Sequence, residues 1–328
     1  MIQKNITAVF KPTVITFVTY LHKLMFMKNF LKMRFIVLLF AAISIYAASC
    51  SDDNAVGNPA PVPNIAQIVA QTPEFSSLNT ALVRTNLTGS LTSGNLTLFA
   101  PDNASFTASG IDANTAPVTK LDSILKYHVV GQSIGLSSFT GSDTLKSLLG
   151  KNIFLSKGVN GVFTNAINVK QTDIKGSNGF IHVVSKVLTP PTQSIAQIAT
   201  ADTSFSFLVS ALTKLNLLNT VSGPGKFTVF APTNAAFRAA GITDINAVPI
   251  PTLDVIVKYH ILTTSVFTTD FINNYLITSL QGGNITLFTT PGAGVKITTG
   301  SQPASAITTA NIVATNGVMH VINKVMLP

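Results

Sequence analysis

Cysteine occurs once in this chain, at Cys50, so no disulfide can form within it. Charge is also scarce. Only 10% of the 328 residues are charged while 46% are apolar, which excludes a disordered polymer held open by its own charge. The body of the chain lacks any long uncharged apolar run, so a bundle of membrane-spanning helices is excluded too. Gly-x-Ser-x-Gly, His-Glu-x-x-His and Cys-x-x-Cys are missing, which leaves serine-hydrolase, zinc-protease and dithiol chemistry without sequence support. The net charge of +9 is concentrated at one end: residues 1–49 carry six basic residues and no acid, and the remainder carries 15 basic and 12 acidic. A basic leader is not a basic folded face, and nucleic acid is therefore rejected as a partner.

The leader has the plan of an export signal. Lys28, Lys32 and Arg34 precede the apolar run Phe35–Ala48, which has the length of a signal core and is too short to span a bilayer comfortably. The signal is already complete from Met27, so Met27 or Met33 is the expected start, the alternative being a long basic n-region. Ala47, Ala48 and Ser49 lead into Cys50, and small residues before a cysteine resemble the lipobox of bacterial lipoproteins. That resemblance implies cleavage after Ser49 and a lipid anchor on the Cys50 sulfur, with membrane attachment at the outer membrane or surface of a Gram-negative bacterium. The alternative is an ordinary signal peptide with an incidental cysteine. Ser51, Asp52 and Asp53 resemble the export tag of surface-displayed lipoproteins. They open a Pro- and Gly-containing tether that ends at residue 62.

Beyond the tether the same text is written twice. Asn95–Phe106 (NLTLFAPDNASF) matches Lys226–Phe237 (KFTVFAPTNAAF) at an offset of 131 residues. Leu121–Val130 matches Leu253–Leu262 at 132, and Asn178–Pro190 matches Asn316–Pro328 at 138. A drifting offset of this size marks a duplicated domain with small loop insertions, with units at 63–190 and 192–328.

Each unit opens on helices, with Ile65, Ile68 and Val69, then Ile195, Ile198 and Ala199, at i, i+3 and i+4. Leu96–Phe99 and Phe227–Phe230 alternate with threonine as half-buried strands do. Pro101 and Pro232 stop those strands, and Asp102 and Thr233 are placed to cap the next helices. Phe106 and Phe237 turn inward. Leu121, Ile124, Leu125 and His128 share one helical stripe, as do Leu253, Ile256, Val257 and His260, so both histidines face the core. They read as neutral, hydrogen-bonded struts rather than as catalysts or ligands. Asp122 with Lys126, and Asp254 with Lys258, pair on the wet face. Short Thr-, Val- and Ile-rich runs then read as antiparallel hairpins, and each unit closes on a strand started by Asn178-Gly179 or Asn316-Gly317, both residue types tolerating positive φ. Helices early and strands late make the class α+β.

Phe-Ala-Pro-x-Asn-x-x-Phe, Lys-Tyr-His and Asn-Gly-x-x-His-Val-x-x-Lys-Val, in that order, resemble the fasciclin domain. The residues that carry the resemblance are Phe99, Pro101, Asn103, Phe106, Tyr127, His128 and His182 in one unit. Phe230, Pro232, Asn234, Phe237, Tyr259, His260 and His320 carry it in the other. It implies two tandem β-wedges, each of two packed sheets with flanking helices, and extracellular adhesion without catalysis or cofactor. Integrin-binding members carry Asp-Ile before the last strand. Asp173-Ile174 stands there, with Asn311-Ile312 at the matching place in the second unit, and a local acceptor role for Asp173 is the expectation.

Three functions compete. The first is a surface-anchored adhesion or interaction module for an extracellular protein, glycan or neighbouring cell. The second is a carrier of a small apolar ligand among the phenylalanines. The third is a metal site built from His128, His182, His260 and His320, which is weak without nearby carboxylates, so no metal is assigned. Asp122-Ser123-Ile124 and Asp143-Thr144-Leu145 resemble a bacterial O-glycosylation triplet.

Overall fold

The computed structural model describes residues 60–158, 160–271, 275–290, 294–298 and 304–328. The leader, Cys50 and the Ser-Asp-Asp run fall outside the described residues.

In the first repeat a helical layer precedes the sheet. Helix α1 (Ile65–Gln71) starts in a capping box, the Asn64 side chain accepting from the Gln67 amide at 2.9 Å while Gln67 reaches back to the Asn64 amide at 2.8 Å. A 3₁₀ turn (Pro73–Phe75) leads into α2 (Ser76–Arg84). Strand β1 (Leu96–Pro101), helices α3 (Asn103–Ala108) and α4 (Val118–Tyr127) and the two-residue β2 (Val129–Val130) come next. Five further strands complete the repeat: β3 (Ser142–Lys146), β4 (Asn152–Gly158), β5 (Gly161–Thr164), β6 (Ile167–Gly176) and β7 (Gly179–Val184).

These make one seven-stranded sheet in the order β2-β1-β7-β6-β5-β4-β3. Long β6 belongs to both halves of the wedge. Its first residues pair with β5, and Val169–Gly176 pair with β7 through two register shifts, where the strand bends. The ends of the sheet then meet, because the Leu148 amide donates to the Val129 carbonyl at 2.7 Å and Val130 bridges Ser147. The result is a mixed sheet almost closed into a barrel, which leaves little open edge.

The second repeat runs through α5 (Ile195–Ala201), α6 (Ser206–Lys214), α7 (Leu218–Ser222), β8 (Phe227–Pro232), α8 (Asn234–Ala239), α9 (Ile250–Tyr259) and β9 (Ile261–Leu262). Strands β10 (Tyr275–Thr278), β11 (Asn284–Thr290), β12 (Gly294–Thr298), β13 (Ser305–Ala314) and β14 (Gly317–Ile322) complete a second seven-stranded sheet of the same order. Ser194 and Gln197 repeat the capping box of α1, and Leu280 repeats the closing bond, to Ile261 at 2.7 Å.

One pair in each sheet is parallel: Leu96–Pro101 lies along Gly179–Val184, and Phe227–Pro232 along Gly317–Ile322. All six residues of β1 are buried, so it is not the half-buried strand that alternation suggested. Leu98, Ala100, Ile181 and Val183 face the helices, while Phe99, Val184, Ile153 and Leu155 fill the barrel. Parallel strands covered on both faces are the usual case. The polar residue within β1 is made tolerable by its bonds: the Thr97 hydroxyl donates to Gln132 at 2.6 Å and accepts from the Ile134 amide at 2.8 Å. Thr228 does the same with Thr264 and Val266. Pro101 is itself the last residue of β1, opposite Val184, so the ladder ends on the proline rather than before it.

A smaller apolar cluster joins the repeats. Phe154 on β4 meets Phe267 with ring centroids 5.7 Å apart, and Val318 completes the contact. Gly158 packs so tightly on the 3₁₀ turn Thr268–Asp270 that a Cβ there would collide with the Thr269 carbonyl oxygen.

Candidate functional site

The residues shared by the two repeats are placed in matching environments. Asn103, at the start of α3, accepts from the Ser77 amide at 2.9 Å and donates to the Pro73 carbonyl at 3.0 Å, fixing α3 to the entry of α2. Asn234 does this with Phe207 and Thr203. Asp102 and Thr233 accept from the amides of Ser105 and Ala236, in the cap role their position suggested. Phe106 and Phe237 are buried under the helices. Tyr127 donates to Asn152 at 2.6 Å and Tyr259 to Asn284 at 2.6 Å, each tying a helix end to the first long strand of the hairpins.

The four histidines divide into two kinds. His128 caps α4 and is fully buried; its Nδ1 lies 2.7 Å from the Ile124 carbonyl, and its Nε2 accepts from the Leu188 amide at 2.9 Å. Those partners fix a neutral ring with the proton on Nδ1. His260 is held the same way between Ile256 and Met326. His182 and His320 have the other tautomer. Their Nδ1 atoms accept from the amides of Asp173 (3.0 Å) and Asn311 (3.2 Å), and their Nε2 atoms donate to Ile134 and Val266 at 2.9 Å. Burial pushes His128, His260 and His320 down to about 4, and a carbonyl partner only partly opposes it. His182 is lowered by burial too, against the pull of Ile134 and Asp173. Phe99 and Phe230 pack on His182 and His320 at 5.7 and 5.5 Å.

Asp173 sits at φ 60, as does Asn311 at φ 59. Its two carboxylate oxygens accept from the amides of Leu136 and Ser137, each at 2.7 Å. Partial burial opposes its charge, but those amides and the Ser137 hydroxyl outweigh that and hold it below the ordinary carboxylate value. Ile174 packs against the helix-side core. Asn311 replaces the charge with an amide that accepts from the Thr268 amide at 3.0 Å and donates to its hydroxyl at 2.6 Å.

The Asn-Gly pairs carry more than turn conformation. Only the glycines take positive φ, 144 and 149, and a Cβ on either would strike the backbone of Leu96 or Phe227. Asn178 instead accepts from the Ile65 amide at 2.9 Å and donates to Leu91 at 3.0 Å, and Asn316 bonds Ile195, Val221 and Gly223. These side chains join the last turn of each repeat to its first helix. Their recurrence at matched positions was the available signal. Ser123 lies in α4 and Thr144 in β3.

Among the described residues no group of three or more His, Cys, Asp or Glu converges as a metal cage. An apolar pocket beside Leu82, Leu125 and Leu148 holds about 80 Å³. Two larger clefts flank the contact between the repeats. One, of about 530 Å³, lies along the connecting segment at Thr189, Pro191 and Gln193 and reaches Asn311. The other, of about 410 Å³, lies between β3–β4 and the residues Thr264, Ser265, Val266, Asp270 and Tyr275.

The fasciclin-domain family model matches residues 73–190 and 203–328. The chain belongs to the fasciclin family. Its fasciclin relatives include transforming growth factor-beta-induced protein ig-h3 of Sus scrofa, 30% identical over 275 residues, which are 81% of this chain and 38% of that protein. The chain thus spans about two fifths of the length of such relatives. Uncharacterized protein sll1735 of Synechocystis is 36% identical over 136 residues, 41% of this chain and 97% of that one. Among solved structures, a domain pair from the insect cell adhesion molecule fasciclin I shares 15% identity with a TM-score of 0.38, over 76% of this chain and 92% of that one. Fasciclin domains as a family are adhesion and interaction modules rather than catalysts.

Proposed function

We propose that this protein is a surface-anchored bacterial lipoprotein that works as a non-catalytic adhesion module for an extracellular protein, glycan or neighbouring cell. The observation that carries the non-catalytic part is the use of the imidazoles: both ring nitrogens of all four described histidines are engaged by backbone groups of the same repeat. Groups so engaged are struts, and a neutral ring with no free nitrogen neither abstracts a proton nor ligates a metal. In the same reading Asp173 is a local acceptor, and the motif asparagines, tyrosines and phenylalanines hold the fold. The folded units run over 63–190 and 192–328, behind the leader 1–49 and the tether 50–62.

Anchoring is supported by the apolar run Phe35–Ala48 ending in Ala-Ala-Ser before the only cysteine. Radiolabelled palmitate fed to expressing cells is expected to label the protein, and Cys50→Ala to abolish the label and release the protein from membranes. Protease added to intact cells is expected to remove the ectodomain. Resistance of the ectodomain in intact cells, with cleavage after lysis, would contradict surface display. Binding of the released ectodomain to cells or matrix, without turnover of anything bound, is the expected activity.

A further inference from the structure

The 410 Å³ cleft between the repeats is lined with more hydroxyl-bearing residues than the other two cavities. Hydroxyl-bearing Ser142, Ser156, Thr264, Ser265 and Tyr275 line it, with the Asp270 carboxylate and Lys157 as its one acid and one base. Ser156 comes from the first repeat and Asp270 from the second, so neither repeat builds the cleft alone. Asp270 is not idle. It accepts from the Phe267 amide at 2.7 Å, from the Thr269 hydroxyl at 3.3 Å and from the Ser156 hydroxyl. A carboxylate offers about four acceptor positions, so one remains. Burial raises Asp270 above its ordinary value and these donors only partly oppose it. Nearby, the Ser265 hydroxyl is buried and finds no partner among the described residues. Ser142 and Thr264 are exposed at the mouth of the cleft.

We propose that this cleft binds a neutral saccharide unit. A cation fits poorly, because hard divalent ions take six to eight oxygens with several carboxylates among them, and the cleft offers one carboxylate. An apolar ligand would leave the free Asp270 position unsatisfied. A sugar ring supplies what is missing: hydroxyls that donate to Asp270 and bond to Ser142 and Thr264 at the mouth, with a C–H face to lie against Tyr275 and Val266. The cleft volume falls in the range of small-molecule sites. This inference deepens the adhesion reading by naming a glycan as its target.

The test is saturation-transfer NMR and titration calorimetry on the purified full-length chain with glucose, galactose, mannose, xylose, N-acetylglucosamine and their β-linked disaccharides. At least one is expected to bind with a Kd of about 1 mM or tighter. Asp270→Asn is expected to weaken it about tenfold or more. Ser142→Trp blocks the cleft from an exposed strand end and is expected to abolish binding with an unchanged thermal transition. This second variant decides the matter if Asp270→Asn disturbs the turn it caps. No binding by any saccharide, or binding that survives Ser142→Trp, overturns the proposal. Capture of cells or matrix without saccharide binding would remove the pocket and leave the adhesion reading standing, and saccharide binding without capture would do the reverse.

Discussion

Asp102 and Thr233 stand at the same point of the two repeats and cap the same helix, yet they are fastened differently. Asp102 also pairs with Lys170 on β6 at 2.7 Å and bonds the Ser105 hydroxyl. In the second repeat the matching positions are Ala236 and Thr308, and no charge is involved. The same replacement recurs at the bend before the last strand, where Asp173 holds two amides with a carboxylate and Asn311 holds one with an amide group. The fold thus requires an acceptor at each place and not a charge. What both repeats keep is the neutral histidine pair. Charge in the first repeat is an addition, and at these two places it adds an acid-sensitive contribution that the second repeat lacks.

The largest effect should come from what is common. His128→Ala strands the Leu188 amide and the Ile124 carbonyl and opens a hole, and a loss of about 3 kcal/mol or more is expected, with His260→Ala matching it in the second repeat. Urea titration followed by hydrogen exchange, which resolves the repeats separately, measures both. A large cost in one repeat alone would break the comparison.

Acid should then separate the repeats in two stages. The folded rings of His128, His260 and His320 lie at about 4 against an ordinary 6.5, so the unfolded chain binds protons that the folded chain refuses. Stability is therefore full above pH 6.5 and drains as pH falls toward 4, by on the order of 3 kcal/mol for each ring. Asp102 and Asp173 are lowered from 3.8: burial opposes their charge, but Lys170 and Ser105, and Leu136 and Ser137, outweigh it. Their contribution is present above 3.8 and is lost as pH drops below it, in the first repeat alone. Two rings at about 4 stand in the second repeat and one in the first, so protection from exchange, measured from pH 7 to 3, should fall further in the second repeat down to about 4, and the carboxylates add their loss to the first below 3.8.

Exchanging the residues sharpens the contrast. Asp173→Asn turns an N–H₂ toward an amide donor and should cost the first repeat about 1–2 kcal/mol. Asn311→Asp keeps the acceptor for the Thr268 amide and lets the Thr268 hydroxyl turn from acceptor to donor, and should be close to neutral at pH 7 while adding acid sensitivity to the second repeat. The smallest expected effect is Lys170→Ala, within about 1 kcal/mol, because the ammonium is over a third exposed.

The internal repeat made the matching sheets legible, and the 3.6 period placed His128 and His260 on buried stripes. Capping by Asp102 and Thr233 could be read from a strand ending in proline beside a short polar side chain. The parallel pairing of β1 with β7 could not be read, because it joins segments about eighty residues apart and nothing local encodes a partner at that distance. Burial of Thr97 was hidden for a related reason: its hydroxyl is satisfied by the loop after β2, and alternation alone cannot reveal a bond to a remote carbonyl. Asn178 was read through its backbone when its side chain does the joining. Phe154 and Phe267 look like any core phenylalanine, so the contact between the repeats, and the cleft beside it, emerged only from the fold.

Imidazoles that serve as neutral internal struts are the feature on which both repeats depend. Nitrogen-15 NMR of the histidine rings across a pH titration tests this directly. The prediction is a proton on Nδ1 of His128 and His260 and on Nε2 of His182 and His320, with His128, His260 and His320 staying neutral until pH approaches about 4. A ring among them that titrates near its ordinary 6.5 and exchanges its proton freely with water would contradict it.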